Sequence, residues 1–142
     1  MKSLPESLIE IREHSGPDYQ PLIDYQNWRV AIINYTTDLT PDKINRMQKH
    51  TETDEVFVLM TGHCILFVGE GEKTVTKVHA VDMEPYKAYN IKRGVWHSHT
   101  FSEDARVLIV ENRDTVYENS PFVPLSIEQQ KEIVELTKKL WG

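Results

Sequence analysis

The sequence predicts an all-β sandwich or barrel closed by one C-terminal helix. Three observations carry that reading. Short segments rich in β-branched and aromatic residues recur about every ten residues from Trp28 to Asn112, separated by turn residues. No helix-length segment interrupts the series, so a parallel βαβ sheet is not expected. Only past Ser126 does an apolar pattern of helical period appear.

In chain order, "SLIEIREH" (7–14) sets apolar residues among charges and suits a short strand or one helical turn. Pro17 and Pro21 then keep the backbone extended or turning. "WRVAIINYT" (28–36) reads as a strand, "TPDK" (40–43) as a turn with Pro41 presetting its dihedral, and "INRMQKH" (44–50) as a strand. "EVFVLMT" (55–61) and "CILFVG" (64–69) are strong strand signals, and Gly62 and His63 between them predict a tight hairpin. After the turn "GEGEK" (69–73) come "TVTKVHAV" (74–81), "YKAYNI" (86–91), "VWHSHTF" (95–101) and "RVLIVEN" (106–112), split by further turns. The whole makes eight or more strands.

The C-terminal segment carries Ser126 with Gln129 three residues on, a capping-box spacing. Ile127, Ile133, Val134, Leu136, Leu140 and Trp141 recur near helical period, and Lys138 and Lys139 fall where the helix dipole favours cations. A helix over about 126–141 would be roughly 22 Å long. Its apolar side is expected to lie across one face of the barrel or in a dimer interface.

A chain of 142 residues is one ordinary domain. Its barrel core is placed at about 28–112, preceded by an extension over 1–27. The net charge of −6, from 22 acidic and 16 basic residues, argues against a nucleic acid or an anionic membrane as partner. One cysteine, Cys64, excludes an intramolecular disulfide and reads as a core thiol. The N-terminal "MKSLPESLIEIREH" has acids and a proline where a signal peptide would carry an apolar core, and no run reaches the roughly 20 apolar residues of a membrane span. A soluble cytoplasmic protein is expected.

Two stretches concentrate ionisable chemistry at strand ends. In "KHTETDEVFVLMTG" (49–62), His50 and Glu55 stand just ahead of an apolar run. Gln48 and His50 share a face by alternation, and the turn through "TETD" lets Glu55 return toward His50. A carboxylate at the head of a buried strand costs several kcal/mol unless it is paired. In "KRGVWHSHTF" (92–101), Gly94 allows a sharp turn, and His97 and His99 share the next face. Taken singly, each of these residues suits a solvated strand end or a hydrogen-bonded core position. "GEGEK" lacks the third glycine and the following helix of a phosphate loop, and Lys92 and Arg93 read as exposed turn charges or as anion contacts at the barrel mouth.

These two stretches resemble the paired motifs of the cupin superfamily, G-x5-H-x-H-x3,4-E-x6-G and G-x5-P-x-G-x2-H-x3-N. His50, Glu55 and Gly62 match the second half of the first motif, and Gly94 and His97 match the centre of the second. Gln48 stands at the first motif's leading histidine. Tyr86, Lys92 and Phe101 replace the second motif's leading glycine, its proline and its closing asparagine. The resemblance implies a jelly-roll barrel, a double-stranded β-helix, often dimeric, with one divalent metal inside. His50, Glu55 and His97 would be the ligands, with Gln48 as a weak fourth and His99 or Glu52 as pocket residues or substitutes. Iron, manganese, zinc and nickel all suit such a set.

The expected function is that of a metal-dependent enzyme acting on a small polar molecule, a sugar or a carboxylate, with Glu52 or His99 able to move a proton. The alternative from another class is a non-catalytic cupin that binds a small ligand without metal or with a structural metal only. A barrel with a vestigial cavity and a role in assembly is the third reading. A small-molecule ligand and a homodimer are the expected partners.

Overall fold

The computed structural model describes residues 4–142. Among the described residues, ten strands form two five-stranded antiparallel sheets. The first sheet runs β1-β2-β9-β4-β7, with β1 at Asp18–Tyr25, β2 at Trp28–Asn34, β4 at Glu55–Thr61, β7 at Tyr89–Ile91 and β9 at Arg106–Asn112. The second runs β10-β3-β8-β5-β6, with β3 at Arg46–Gln48, β5 at Cys64–Glu70, β6 at Lys77–Asp82, β8 at Trp96–Phe101 and β10 at Phe122–Pro124. The sheets face each other as a sandwich; among the described residues no strand pairing joins them into a closed ring. Helix α1, Ile127–Trp141, follows.

Two buried clusters explain the residue patterns. Ala31, Ile33, Phe57, Leu59, Leu66, Val107 and Ile109 pack between the sheets. Strands β4 and β9 therefore alternate buried with half-buried residues, the pattern of a sheet with one packed face. Ile65, Phe67, Trp96, Val123, Leu125 and Ile133 form the second cluster, which joins α1 to the outer face of the second sheet. Strand β5 is consequently buried on both faces, which accounts for the unbroken apolar run "CILFV".

Three expectations need correction. The sheet starts at Asp18, ahead of Trp28: β1 pairs with β2 from Asp18↔Asn34 to Tyr25↔Trp28. Pro21 is tolerated because β1 is an edge strand, and the register shifts between Pro21 and Ile23. Next, Gly62 and His63 do not close a hairpin, because β4 and β5 lie in opposite sheets. The turn is an arch between sheets. His63 N–H donates to Ser102 Oγ at 2.8 Å and its carbonyl accepts from Ser102 N–H at 2.9 Å. The true hairpin is β5–β6. Finally, β10 and the 3₁₀ turn Tyr117–Asn119 lie in a stretch with no strand rhythm. Of the two readings of "SLIEIREH", the single turn is the one present, at its start, where Pro5 O accepts from Leu8 N–H at 2.9 Å and from Ile9 N–H at 3.2 Å.

Helix α1 starts as its sequence implies. Ser126 Oγ accepts from Gln129 N–H at 3.1 Å, and Gln129 Oε1 accepts from Ser126 N–H at 3.0 Å. At its other end Trp141 Nε1–H donates to Asp82 Oδ1 at 3.0 Å, tying the helix to β6.

The arch at Gly62 depends on glycine. Its φ is +73°, and a Cβ there would sit 2.6 Å from the backbone of Ala105. Gly62→Ala is expected to cost roughly 1–3 kcal/mol or more, read as a lower urea midpoint at unchanged slope. An unchanged midpoint would show that the two sheets do not need this close approach.

Candidate metal centre

The site is built where strand ends from both sheets meet. His50 follows β3, Glu55 opens β4 and His97 is the second residue of β8. Gln48 lies opposite His97 in the β3–β8 register, so the two side chains share the inner face. Two loops are latched together to hold these ends. Asp54 Oδ1 accepts from Arg93 N–H at 2.7 Å and its Oδ2 from Asn90 Nδ2 at 3.0 Å, and His50 O accepts from Gly94 N–H at 2.8 Å. The Asn90 and Arg93 donors hold the Asp54 carboxyl below its ordinary range.

His50, Glu55 and His97 converge, all three buried, and their ligating atoms lie within 4.8 Å of one another. Glu55 Oε1 is 3.2 Å from His50 Nε2 and 3.0 Å from His97 Nε2. The far side of each ring is fixed. His97 Nδ1 faces the Val95 carbonyl at 3.0 Å, a pure acceptor, so Nδ1 carries the hydrogen. His50 Nδ1 is 2.7 Å from Ser120 Oγ, whose hydroxyl donates to Asn119 Oδ1 at 3.1 Å; that order assigns the Nδ1 hydrogen of His50 too. Both neutral rings would then aim Nε2 lone pairs at one carboxylate oxygen. Positive charge has to lie between them, as a proton or as a cation.

The titration shifts agree. Burial works to raise Glu55, but the hydrogen bonds of His50 and His97 and the charge of His97 outweigh it, and its carboxyl is held well below the ordinary value. Burial works to lower His97, yet the Glu55 carboxylate and the Val95 carbonyl raise it overall. A proton on His97 is the stand-in for a cation. The donor set, two imidazole nitrogens and a carboxylate oxygen with hydrogen-bonded outer partners, is one that holds a divalent first-row metal.

The other sequence-predicted residues divide. Gln48 reaches the inner face, where its Nε2–H donates to Ser120 O at 3.0 Å. His99 lies on the inner face among Phe57 and Phe101, outside the convergent triad, with both ring nitrogens buried and unpartnered. Burial first, then the charge of His97, pushes His99 down to about 4. Glu52 is exposed and stands outside the convergent triad: its carbonyl accepts from Asn112 Nδ2–H at 2.9 Å, and it lines a groove of about 710 Å³ together with Glu111. Lys92 and Arg93 line that same exposed groove. A second groove, about 780 Å³, lies beside β3 and β10, and neither groove is lined by a triad residue.

Sequence reasoning missed Ser120, Glu111 and Tyr19. Glu55 precedes Val56, which pairs with Val110, so Glu111 stands across from Glu55 on the neighbouring strand. Glu111 Oε1 accepts from Tyr19 O–H at 2.6 Å, and its Oε2 is buried without a partner. Burial and the adjacent Glu55 carboxylate push Glu111 up to about 8. The signal was present in "RVLIVEN", where a glutamate continues an apolar inward alternation, but only the register shows that it meets Glu55.

No family model matches the sequence, and no curated protein matches it. Solved structures do. A Streptomyces PAC13 variant with uridine is similar at a TM-score of 0.57 and 6% identity, over 83% of this chain and 88% of that one; another structure of that protein describes it as a nucleoside dehydratase with a β-barrel. A QdtA 3,4-ketoisomerase variant from Thermoanaerobacterium thermosaccharolyticum, in complex with TDP, is similar at 0.52 and 18% identity, over 66% of this chain and 64% of that one. HppE with iron(II) is similar at 0.51 and 16%, over 66% and 48%.

The raised Glu111 carboxyl gives a pH prediction for chelator-treated protein. Its pKa is about 8 in the fold and 4.5 in the unfolded chain, so the folded state binds the proton more tightly. The stability it contributes is full below about pH 4.5 and is lost as pH rises to about 8. Glu111→Gln keeps an acceptor for Tyr19 and removes that loss, so its Tm should exceed the wild-type value near pH 8 and the gap should close near pH 5. A gap independent of pH would contradict the assignment. With two facing antiparallel sheets, strand ends converging on one inner site and a C-terminal helix, the chain has the cupin fold.

Proposed function

We propose that the protein is a divalent-metal cupin acting on a small polar molecule, a sugar or a carboxylate. His50, Glu55 and His97 are the ligands in this reading, with Gln48 beside them. One observation carries it: two imidazoles, fixed through Nδ1, aim Nε2 at a single buried carboxylate oxygen. Two histidines and one carboxylate suit iron(II) and equally take manganese, zinc or nickel. A bound ion would supply Lewis acidity toward a carbonyl or carboxylate oxygen.

The chain's own residues supply the rest. Ser120 and the Val95 carbonyl orient the two rings, and Glu111 holds a proton beside Glu55. His99 offers unpartnered ring nitrogens on the same inner face to a ligand's hydroxyl or carbonyl. Structural neighbours solved with uridine and with TDP support a polar ligand of nucleoside or sugar size. No helix among the described residues is long and apolar enough to cross a membrane. A cytoplasmic homodimer completes the proposal, on the strength of the acidic single-cysteine composition and the exposed apolar surface.

A second reading, a non-catalytic ligand-binding cupin, has one observation in its favour: Gln48 commits its amide hydrogen to Ser120 O and stands where a third imidazole would strengthen a metal site. A thermal-shift panel separates the two. Stabilisation by sugars without any effect of divalent ions would favour the binding module.

Metal analysis tests the first reading. The wild type should hold about one equivalent of a divalent first-row metal, and a His50→Ala, His97→Ala double variant should hold almost none. Equal, negligible metal in both would refute it. Ser120→Ala, which frees one face of the His50 ring, should weaken metal binding by about 10- to 100-fold, measured by competition with a chromogenic chelator; unchanged affinity would remove Ser120 from the site.

A further inference from the structure

Glu55 does not stand alone on its row of the first sheet. Asp24 pairs with Arg29 across β1 and β2, Arg29 with Glu111 across β2 and β9, and Glu111 stands opposite Glu55 on β4. Ala31 and Ile33 of β2 pack between the sheets, so by alternation Arg29 also points inward. Asp24, Arg29, Glu111 and Glu55 thus form one inward row, which runs from the edge strand to the point where His50 and His97 converge.

Arg29 is held in place but keeps donors to spare. Its Nε–H donates to Asp24 Oδ1 at 2.8 Å and its Nη2–H to Asp24 Oδ2 at 3.3 Å, a paired fork that fixes the plane of the guanidinium. The Tyr19 hydroxyl gives its hydrogen to Glu111 Oε1 at 2.6 Å and turns its oxygen to Arg29. A guanidinium has more N–H groups than these partners occupy. Among the described residues Arg29 makes no ion pair with Glu111, its neighbour in the row. Positive charge is left over as well. Arg113 Nε lies 3.7 Å from Asp24 Oδ2, so two guanidiniums share one carboxylate in a chain of net charge −6. The Arg29 side chain is 18% exposed: open enough to be reached, yet shielded enough that its charge acts more strongly than in bulk water.

We propose that Arg29 is a specificity-determining residue: it holds an anionic group of the substrate, while an oxygen at the substrate's other end lies at the His50–Glu55–His97 centre. The ligand class is a small molecule with two polar ends, one of them a carboxylate or a phosphate ester. Arg29 and Glu55 stand two strand spacings apart, about 10 Å between backbones, on the same inner face, so a molecule of sugar size spans them. A guanidinium fixed along one edge by Asp24 presents its other edge in the planar, two-pronged geometry that carboxylate and phosphate oxygens fit. A neutral sugar would leave those donors and the extra charge unanswered. The proposal rests on the metal centre assigned above to His50, Glu55 and His97.

The test titrates the zinc-loaded full chain by calorimetry with two series of ligands. Glucose, glucuronate and glucose 6-phosphate differ only in the group on the last carbon and tell a carboxylate from a phosphate; butyrate and glutarate differ by one carboxylate. In at least one series the added anionic end should tighten binding about ten-fold or more. Arg29→Gln should erase that preference while zinc affinity, measured with a chromogenic chelator, stays at the wild-type value. Because Arg29→Gln leaves Asp24 without its fork, the double variant Arg29→Gln/Asp24→Asn keeps a neutral pair there and should lose the same preference. Lys77→Gln, which removes one positive charge on β6 of the other sheet, should retain it. A wild type that binds no metal would overturn the metal centre and this proposal together. Metal bound without any preference for the anionic ends, or a preference that survives both Arg29 variants, would overturn this proposal alone.

Discussion

The structure turns on one buried carboxylate. Glu55 opens an apolar strand inside the sandwich, where an unpaired charge would cost several kcal/mol, and its neighbour across the ladder is a second carboxyl, Glu111. Like charges directly opposite destabilise a sheet. The fold answers in two ways: two imidazoles converge on Glu55 from the other sheet, and Glu111 keeps its proton with Tyr19 donating to it. What remains is a demand for positive charge at a single point between Nε2, Nε2 and Oε1.

Most of the surrounding architecture holds that point in place. The Asp54 carboxylate latches the loop before β4 to the turn before β8, and Gly94 N–H completes the latch on the His50 carbonyl. The 119–121 segment runs beside β3. Lys49 N–H donates to Pro121 O at 3.1 Å, Thr51 N–H donates to Asn119 O at 2.9 Å, and Ser120 is thereby set against His50. Helix α1 closes the outer face of the sheet that carries His50 and His97, so both imidazoles sit on a sheet buried on two sides.

Much of this was legible in the residues. Strand β9 falls on "RVLIVEN" residue for residue, and the helix cap falls on Ser126 and Gln129, because alternation and capping are local properties. The convergence of His50, Glu55 and His97 is what the resemblance to the cupin motifs implied. Other features depend on contacts distant in sequence. Gly62-His63 has the look of a two-residue hairpin, yet which sheet each flanking strand joins is decided by partners some forty residues away. Pro21 masked β1, because only an edge position forgives its missing N–H. Ser120 and Glu111 gave no motif signal, since their roles exist only through register and chain return. Tyr86 is instructive from the other side: it stands at the cupin motif's leading glycine and adopts a φ of +68°, the left-handed region that glycine favours.

The most direct test of the central claim is anomalous diffraction from crystals grown with a divalent first-row metal, measured above and below its absorption edge. The account predicts one strong peak among His50 Nε2, His97 Nε2 and Glu55 Oε1, about 2.0–2.2 Å from each. A peak located elsewhere, or none, would contradict it.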